Sequence, residues 1–147
     1  MNAYRIRGNT FKLSETNNWP ASDVLKNEPG IYEILSVDHN GDPLSINRFC
    51  GVDKFGVLYI GRSFHMRRRL RAFANMILNN SKRGHVAGRT YRTSPKIKKI
   101  ASPESLIFCF KHLDDVASEE SSLLKAYVNK FGEVPPLNGR AEFISKL

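Results

Sequence analysis

Three short runs of β-branched and aromatic residues constrain this chain most: GIYEILSV from Gly30 to Val37, VLYIG from Val57 to Gly61, and SLIFCFKH from Ser105 to His112. Each has the composition of a strand. The first two read as partners in one sheet, and the third, the most hydrophobic run in the chain, as lying near its centre. Helical spacing fills the gaps. Met66, Leu70, Phe73 and Ile77 recur three or four residues apart and, with Phe64 two residues before them, predict one apolar helical face. A last helix is expected from about Val116 to Phe131, ended by Gly132 and Pro135-Pro136. Strands broken up by helices in this order predict an α+β fold, an α/β sandwich on a small sheet. The 147 residues suit one domain spanning residues 1–147.

The periphery is less regular. Residues 1–29 read as an N-terminal extension with an edge strand around Tyr4 to Ile6 and a short helix from Ser22 to about Asn27, stopped by Pro29. Residues 36–56 form an insertion with turn signals at Asn40-Gly41 and Asp42-Pro43. It is too long for a tight hairpin loop and is expected to hold a small excursion of its own. Cys50 and Cys109 lie 59 residues apart with no metal-ligand spacing and read as buried thiols. No run approaches the ~18 apolar residues of a membrane span, and the first residues carry charges where a signal peptide is apolar. The expectation is a soluble, cytoplasmic protein.

A formal charge of +9 points to a polyanionic partner. From Arg62 to Lys99 there are twelve Lys or Arg and no Asp or Glu, which leaves 11 cations against 14 acids elsewhere. A surface built for solubility intersperses both signs, so an acid-free window of 38 residues favours phosphate contact over a merely solvated face. Arg62, Arg67, Arg68, Arg71, Lys82, Arg83, Arg92, Lys96, Lys98 and Lys99 are the candidate nucleic-acid contacts. Lys96 to Lys99 reads as a short basic turn, and the two cationic pieces are expected to flank a common groove. His39, His65 and His112 have no partner pattern and read as ordinary histidines.

One carboxylate stands out. On a helical wheel started at Val116, the stripe formed by Leu123, Leu124, Tyr127, Val128 and Phe131 centres near ~40°, and Glu120 falls at the same angle. A carboxylate on a buried stripe costs several kcal/mol unless it is paired or neutralised. Two explanations stay open: a structural ion pair with an arginine, or a ligand for a divalent cation at a phosphate-binding surface. Tyr32 and Tyr59, each beside an isoleucine and close to a glycine, are either sheet-face aromatics or phenols whose pKa an arginine cluster lowers.

Gly30-Ile31-Tyr32 and Tyr59-Ile60-Gly61 together resemble the two halves of the GIY-YIG nuclease signature. The likeness continues in order: YIGRSFHMRRRL is similar to the family's strand-to-helix segment, with Arg69 ten residues after the second tyrosine. Glu120 followed by Leu123-Leu124 resembles the family's metal-binding glutamate, and Pro135-Pro136-Leu137-Asn138 its closing asparagine motif. The resemblance implies a small, mainly antiparallel sheet of three main strands flanked by helices, and hydrolysis of DNA phosphodiester bonds with one Mg²⁺ or Mn²⁺ ion. It implies Tyr32 as general base or water-orienting group, Tyr59 as a positioning group, Arg69 as the neutraliser of transition-state charge and Glu120 as the metal ligand. Gly30, Gly61 and Asn138 would support the site.

Tyr32 and Tyr59 are 27 residues apart, whereas most members resemble one another in a connection of about ten (a family trait, not a loop-length rule). The longer insertion resembles the restriction-endonuclease branch, in which further basic residues join the site; His85 and Arg89 are the candidates here, with plain phosphate contact the alternative. Cutting both strands of a duplex would then call for a homodimer or two visits. The competing reading is a non-catalytic basic nucleic-acid-binding module on the same fold.

Overall fold

The computed structural model describes residues 3–79 and 85–139, so Lys82 and Arg83 lie outside the described residues. Strands β1 (Asn9–Lys12), β2 (Gly30–Ser36), β3 (Ile46–Arg48), β4 (Gly51–Asp53) and β5 (Val57–Ser63) come first. Helices α1 (Met66–Leu78), α2 (Val86–Thr93) and α3 (Pro95–Ile100) follow, then β6 (Leu106–His112) and α4 (Val116–Phe131). The main sheet runs β1-β6-β2-β5 with every pairing antiparallel, and β3 and β4 form a separate hairpin inside the insertion. The fold is mixed α+β.

Four strands replace the expected three main ones, because Asn9–Lys12 completes the edge of β6. Only Phe11 of that strand is buried, packed on Trp19, Phe108 and Phe110, so the segment carries little strand pattern of its own. The edge strand expected at Tyr4 to Ile6 is irregular chain instead, although Tyr4 and Ile6 are buried. The helix expected over Ser22 to Asn27 is also absent. The Lys26 and Glu28 carbonyls accept from Arg67 N and Met66 N, and Asn27 Oδ1 accepts from Arg68 N. That segment caps α1, whose first N–H groups have no partner inside their own helix.

The two faces of the sheet carry separate cores. On one, Tyr32, Ile34, Tyr59, Phe108 and Phe110 pack under Met66, Leu70 and Phe73 of α1 and Ala87 and Tyr91 of α2. On the other, Ile31, Leu35, Ile60 and Cys109 pack against Val116, Leu123, Leu124, Tyr127 and Phe131 of α4, together with Tyr4 and Ile6. Strand β2 is buried along its whole length, as an inner strand covered on both faces must be. Helix α4 has the expected bounds, with Asp115 accepting from Ser118 N at its start and Gly132 closing it at φ 77°.

Three local expectations change. Phe64 is not on the apolar face of α1: the chain turns at Ser63 to His65, the helix begins at Met66, and the Phe64 ring is 64% exposed. Cys50 is exposed on the β3–β4 turn, while Cys109 is buried as expected. The basic turn Lys96 to Lys99 is part of the short helix α3. Among the described residues no helix is long and apolar enough to cross a membrane.

Candidate active site

The register of β2 on β5 sets the geometry. Tyr32 lies opposite Gly61 and Tyr59 opposite Ile34, so the two tyrosines are diagonal neighbours on one face. A β-carbon at Gly61 would lie 2.4 Å from the Tyr59 ring and 2.9 Å from the Tyr32 hydroxyl oxygen, so glycine is what lets both rings share the site. At Gly30 a β-carbon would meet the Lys111 carbonyl and the Met66 side chain.

His85 joins this pair. It precedes α2, whose helical run continues through Gly88, and Gly88 is buried against Phe73 and Met76. The His85 Nδ1 accepts from Ala87 N at 3.0 Å, and Nε2 meets the Tyr32 hydroxyl. An acceptor at Nδ1 places the proton of the neutral ring on Nε2, so His85 donates to the Tyr32 oxygen. Burial, reinforced by Arg69, lowers the imidazole from 6.5 to about 3. The ring is therefore a fixed neutral donor throughout the physiological range.

Of the two readings of Tyr32, the phenol lowered by arginines is not what its surroundings give. Burial, aided by the neighbouring Tyr59, pushes it well above its ordinary value of 10, and Arg69 only partly opposes this. Tyr32 is a protonated phenol at neutral pH, without the activated oxygen a general base needs. Tyr32, Tyr59, His85 and Arg69 are thus brought together. Arg89, four residues beyond His85, is exposed on α2.

Glu120 projects from α4 toward the opposite face. It is 8% exposed, and Arg62 Nε lies 3.7 Å from its Oε1, a contact of charges rather than a good hydrogen bond. The ion-pair explanation thus describes its surroundings in this structure. It does not exclude the cation-ligand explanation, because Arg62 is 40% exposed and can turn toward an anion.

The two faces meet at one cleft of about 380 Å³ where β5 ends and α1 begins, lined by Arg62, Ser63, Phe64, His65, Arg68, Arg69 and Ala72. Arg62 connects the cleft to Glu120, and Arg69 connects it to Tyr32 and His85. A neighbouring hollow shares Arg68 and Ala72 and adds Asn27, Arg67, Arg71 and Asn75, which extends the cationic surface along α1. Arg67 differs from the others in being engaged: its guanidinium donates to the carbonyls of Pro20 and Leu25 at 2.8 and 3.1 Å.

The second cationic piece lies away from this cleft. Lys99 lines a different hollow with Val37, Asp38, Glu104 and Ser105, beside the far end of β2 from the cleft, and Lys96 and Lys98 are exposed on α3. Arg92 is partly buried on α2. Asn138 clamps the outer edge of β5: its Oδ1 accepts from Ile60 N at 3.0 Å and its Nδ2 donates to Ile60 O at 2.9 Å. That amide supplies the edge strand with the backbone pairing a further strand would give.

Among the described residues no group of three or more His, Cys, Asp or Glu side chains could hold a metal ion. One carboxylate among arginines suits a hard cation that arrives with phosphate and keeps most of its water, as Mg²⁺ commonly does. Sequence reasoning missed the buried carboxylates Glu33 and Asp53, although Glu33 interrupts an otherwise apolar strand. It also missed Phe64 as part of the cleft.

No protein-family model, no curated protein and no solved structure matches this chain.

Proposed function

We propose that the protein is a divalent-metal-dependent endonuclease that hydrolyses DNA phosphodiester bonds, working in the manner of the GIY-YIG nucleases that its motifs resemble. The observation that carries this reading is the cleft on which Arg62 and Arg69 converge, with Glu120 behind the first and Tyr32, Tyr59 and His85 behind the second. Phosphate attracts both guanidiniums, and drawing Arg62 toward the anion loosens its contact with the Glu120 carboxylate. Glu120 would hold Mg²⁺ or Mn²⁺, which supplies Lewis-acid stabilisation and lowers the pKa of bound water.

Arg69 offsets the charge that develops on the phosphoryl oxygens. Tyr32 serves as a water-orienting group rather than a free base, its oxygen held by the fixed donor His85. Tyr59 positions water or phosphate, and Asn138 keeps β5 in register. The DNA track comprises Arg62, Arg68 and Arg71 around α1; Arg67, tied to Pro20 and Leu25, is a structural residue.

The test is incubation of supercoiled plasmid with Mg²⁺ or EDTA, using the parent and Glu120→Gln. The expected outcome is Mg²⁺-dependent nicking by the parent and a loss of at least ~10³-fold in the variant, with DNA binding retained. Equal cleavage by Glu120→Gln would sink the reading. The burial and raised pKa of Tyr32 favour a second reading, a non-catalytic nucleic-acid-binding module, which predicts salt-sensitive binding and no metal-dependent nicking.

A further inference from the structure

Phe64 lines the cleft and is 64% exposed. It is one of two phenylalanines strongly exposed among the described residues, the other being Phe49 on the β3–β4 turn, and no aromatic ring contacts it. It lies two residues before Met66, off the three-and-four spacing of the apolar face of α1, and the turn between β5 and α1 leaves it exposed. That turn is fixed on both sides. Ser63 pairs with Gly30, His65 N donates to Ser63 Oγ at 3.0 Å, and the Met66 side chain is fully buried while Met66 N donates to the Glu28 carbonyl at 3.2 Å. The ring is therefore held at the cleft wall with little backbone freedom to lose on binding.

The first N–H groups of α1 are already engaged by Glu28, Lys26, Asn27 and His65, so the helix end is no phosphate site. Anion affinity in the cleft comes from Arg62, Arg68 and Arg69 side chains, and the aromatic surface among them is Phe64. Guanidiniums for a backbone with a ring for a base is the combination that binds single-stranded nucleic acid. The bases of intact B-form duplex are stacked inside the helix and present no π-face to such a ring.

Resting on the nucleic-acid reading of the cleft, we propose that Phe64 stacks on an unstacked base, so that the site engages a single-stranded segment. Such a segment is a strand end, a gap or a locally opened duplex. Phe64 would be a binding residue beside the scissile phosphate and would bias the protein toward nucleic acid with an unpaired base.

The experiment compares parent, Phe64→Ala and Phe64→Trp in EDTA, where cleavage plays no part, on a short oligothymidylate and on a blunt duplex. Binding is followed by anisotropy and by tryptophan emission above the Trp19 background. The inference expects Phe64→Ala to bind the oligothymidylate about tenfold more weakly or worse with duplex binding unchanged. Phe64→Trp should restore affinity and show quenched emission on binding. Parent-like oligothymidylate binding by Phe64→Ala, or an unquenched Phe64→Trp, overturns the inference and leaves the nuclease reading intact. Stacking without plasmid nicking overturns the nuclease reading alone, and a parent that binds neither probe overturns both. Because Phe64 is exposed, both variants should melt with the parent, which thermal denaturation checks.

Discussion

Beneath α1 and α2, Tyr32 and His85 are fully enclosed; beneath α4, Glu33 and Asp53 are enclosed to the same depth. Their hydrogen bonds lead to different places. Asp53 accepts from the Tyr4 and Tyr127 hydroxyls at 3.0 and 3.1 Å and from the N–H groups of Phe55 and Val57, so it ties the N-terminal segment, the insertion and α4 together. Glu33 holds Arg5 and Ile6 N, also within the fold. The Tyr32–His85 pair, in contrast, lies beside Arg69, and Arg69 lines the solvent cleft. Equal burial therefore separates into two settings, one closed on the fold and one beside the solvent cleft.

The sharpest way to break this comparison is to remove one group from each side. Arg69→Ala should cut plasmid nicking by about 10²- to 10³-fold while moving stability by less than about 1 kcal/mol, since Arg69 is partly exposed. Asp53→Ala strands four donors and should destabilise by about 3 kcal/mol, read by urea denaturation, with nicking per folded molecule unchanged. Matching losses of activity and stability in both variants would dissolve the distinction.

The next effect is smaller and appears as a pH slope. Burial raises Glu33 from 4.5 to about 7 against the opposing pull of Arg5, and Oε2 has no hydrogen-bond partner among the described residues. Between those values the folded protein binds more protons than the unfolded chain, so stability falls as pH rises from about 4.5 to about 7, by up to roughly 3 kcal/mol. His85 acts oppositely. Its folded pKa is depressed, so stability rises as pH goes from about 3 to 6.5. Glu33→Gln should raise stability at pH 8 and uncover the His85 slope below 6.5; denaturation midpoints across pH check it, and an unchanged profile would contradict the assignment.

Much of this was legible in the sequence where one period governs. Strands β2, β5 and β6 and helix α4 declare themselves by composition and spacing, and Glu120 is visible as the acid on an apolar stripe. Segments whose conformation is set by another element are not. Asn9–Lys12 is a strand because β6 offers an edge, and residues 26–28 are irregular because α1 needs caps. Phe64 is two residues off the three-and-four spacing and lies before the helix starts, so grouping it with the apolar face misplaces it. Sequence leaves two readings of Tyr32, a sheet-face aromatic or a phenol lowered by arginines, and it cannot choose because burial, a tertiary property, decides the pKa.

Adjacent arginines on α1 give the finest test of the two roles. Arg68 is exposed and lines both hollows of the basic surface, while Arg67 donates to the Pro20 and Leu25 carbonyls. Each phosphate contact released from a duplex lowers the slope of log affinity against log salt by about 0.9. Arg68→Ala should therefore weaken duplex binding only a few-fold and flatten that slope by about one contact, with the denaturation midpoint unchanged. Arg67→Ala should leave the slope alone and destabilise by about 1 to 2 kcal/mol, since two carbonyls lose their charged donor. The residues are neighbours in sequence, identical in charge and on the same hollow, so what separates them is that the Arg67 guanidinium is already held by two carbonyls. If both variants flatten the slope equally, Arg67 leaves its carbonyls when DNA binds and the boundary between anchoring and binding residues runs elsewhere on α1.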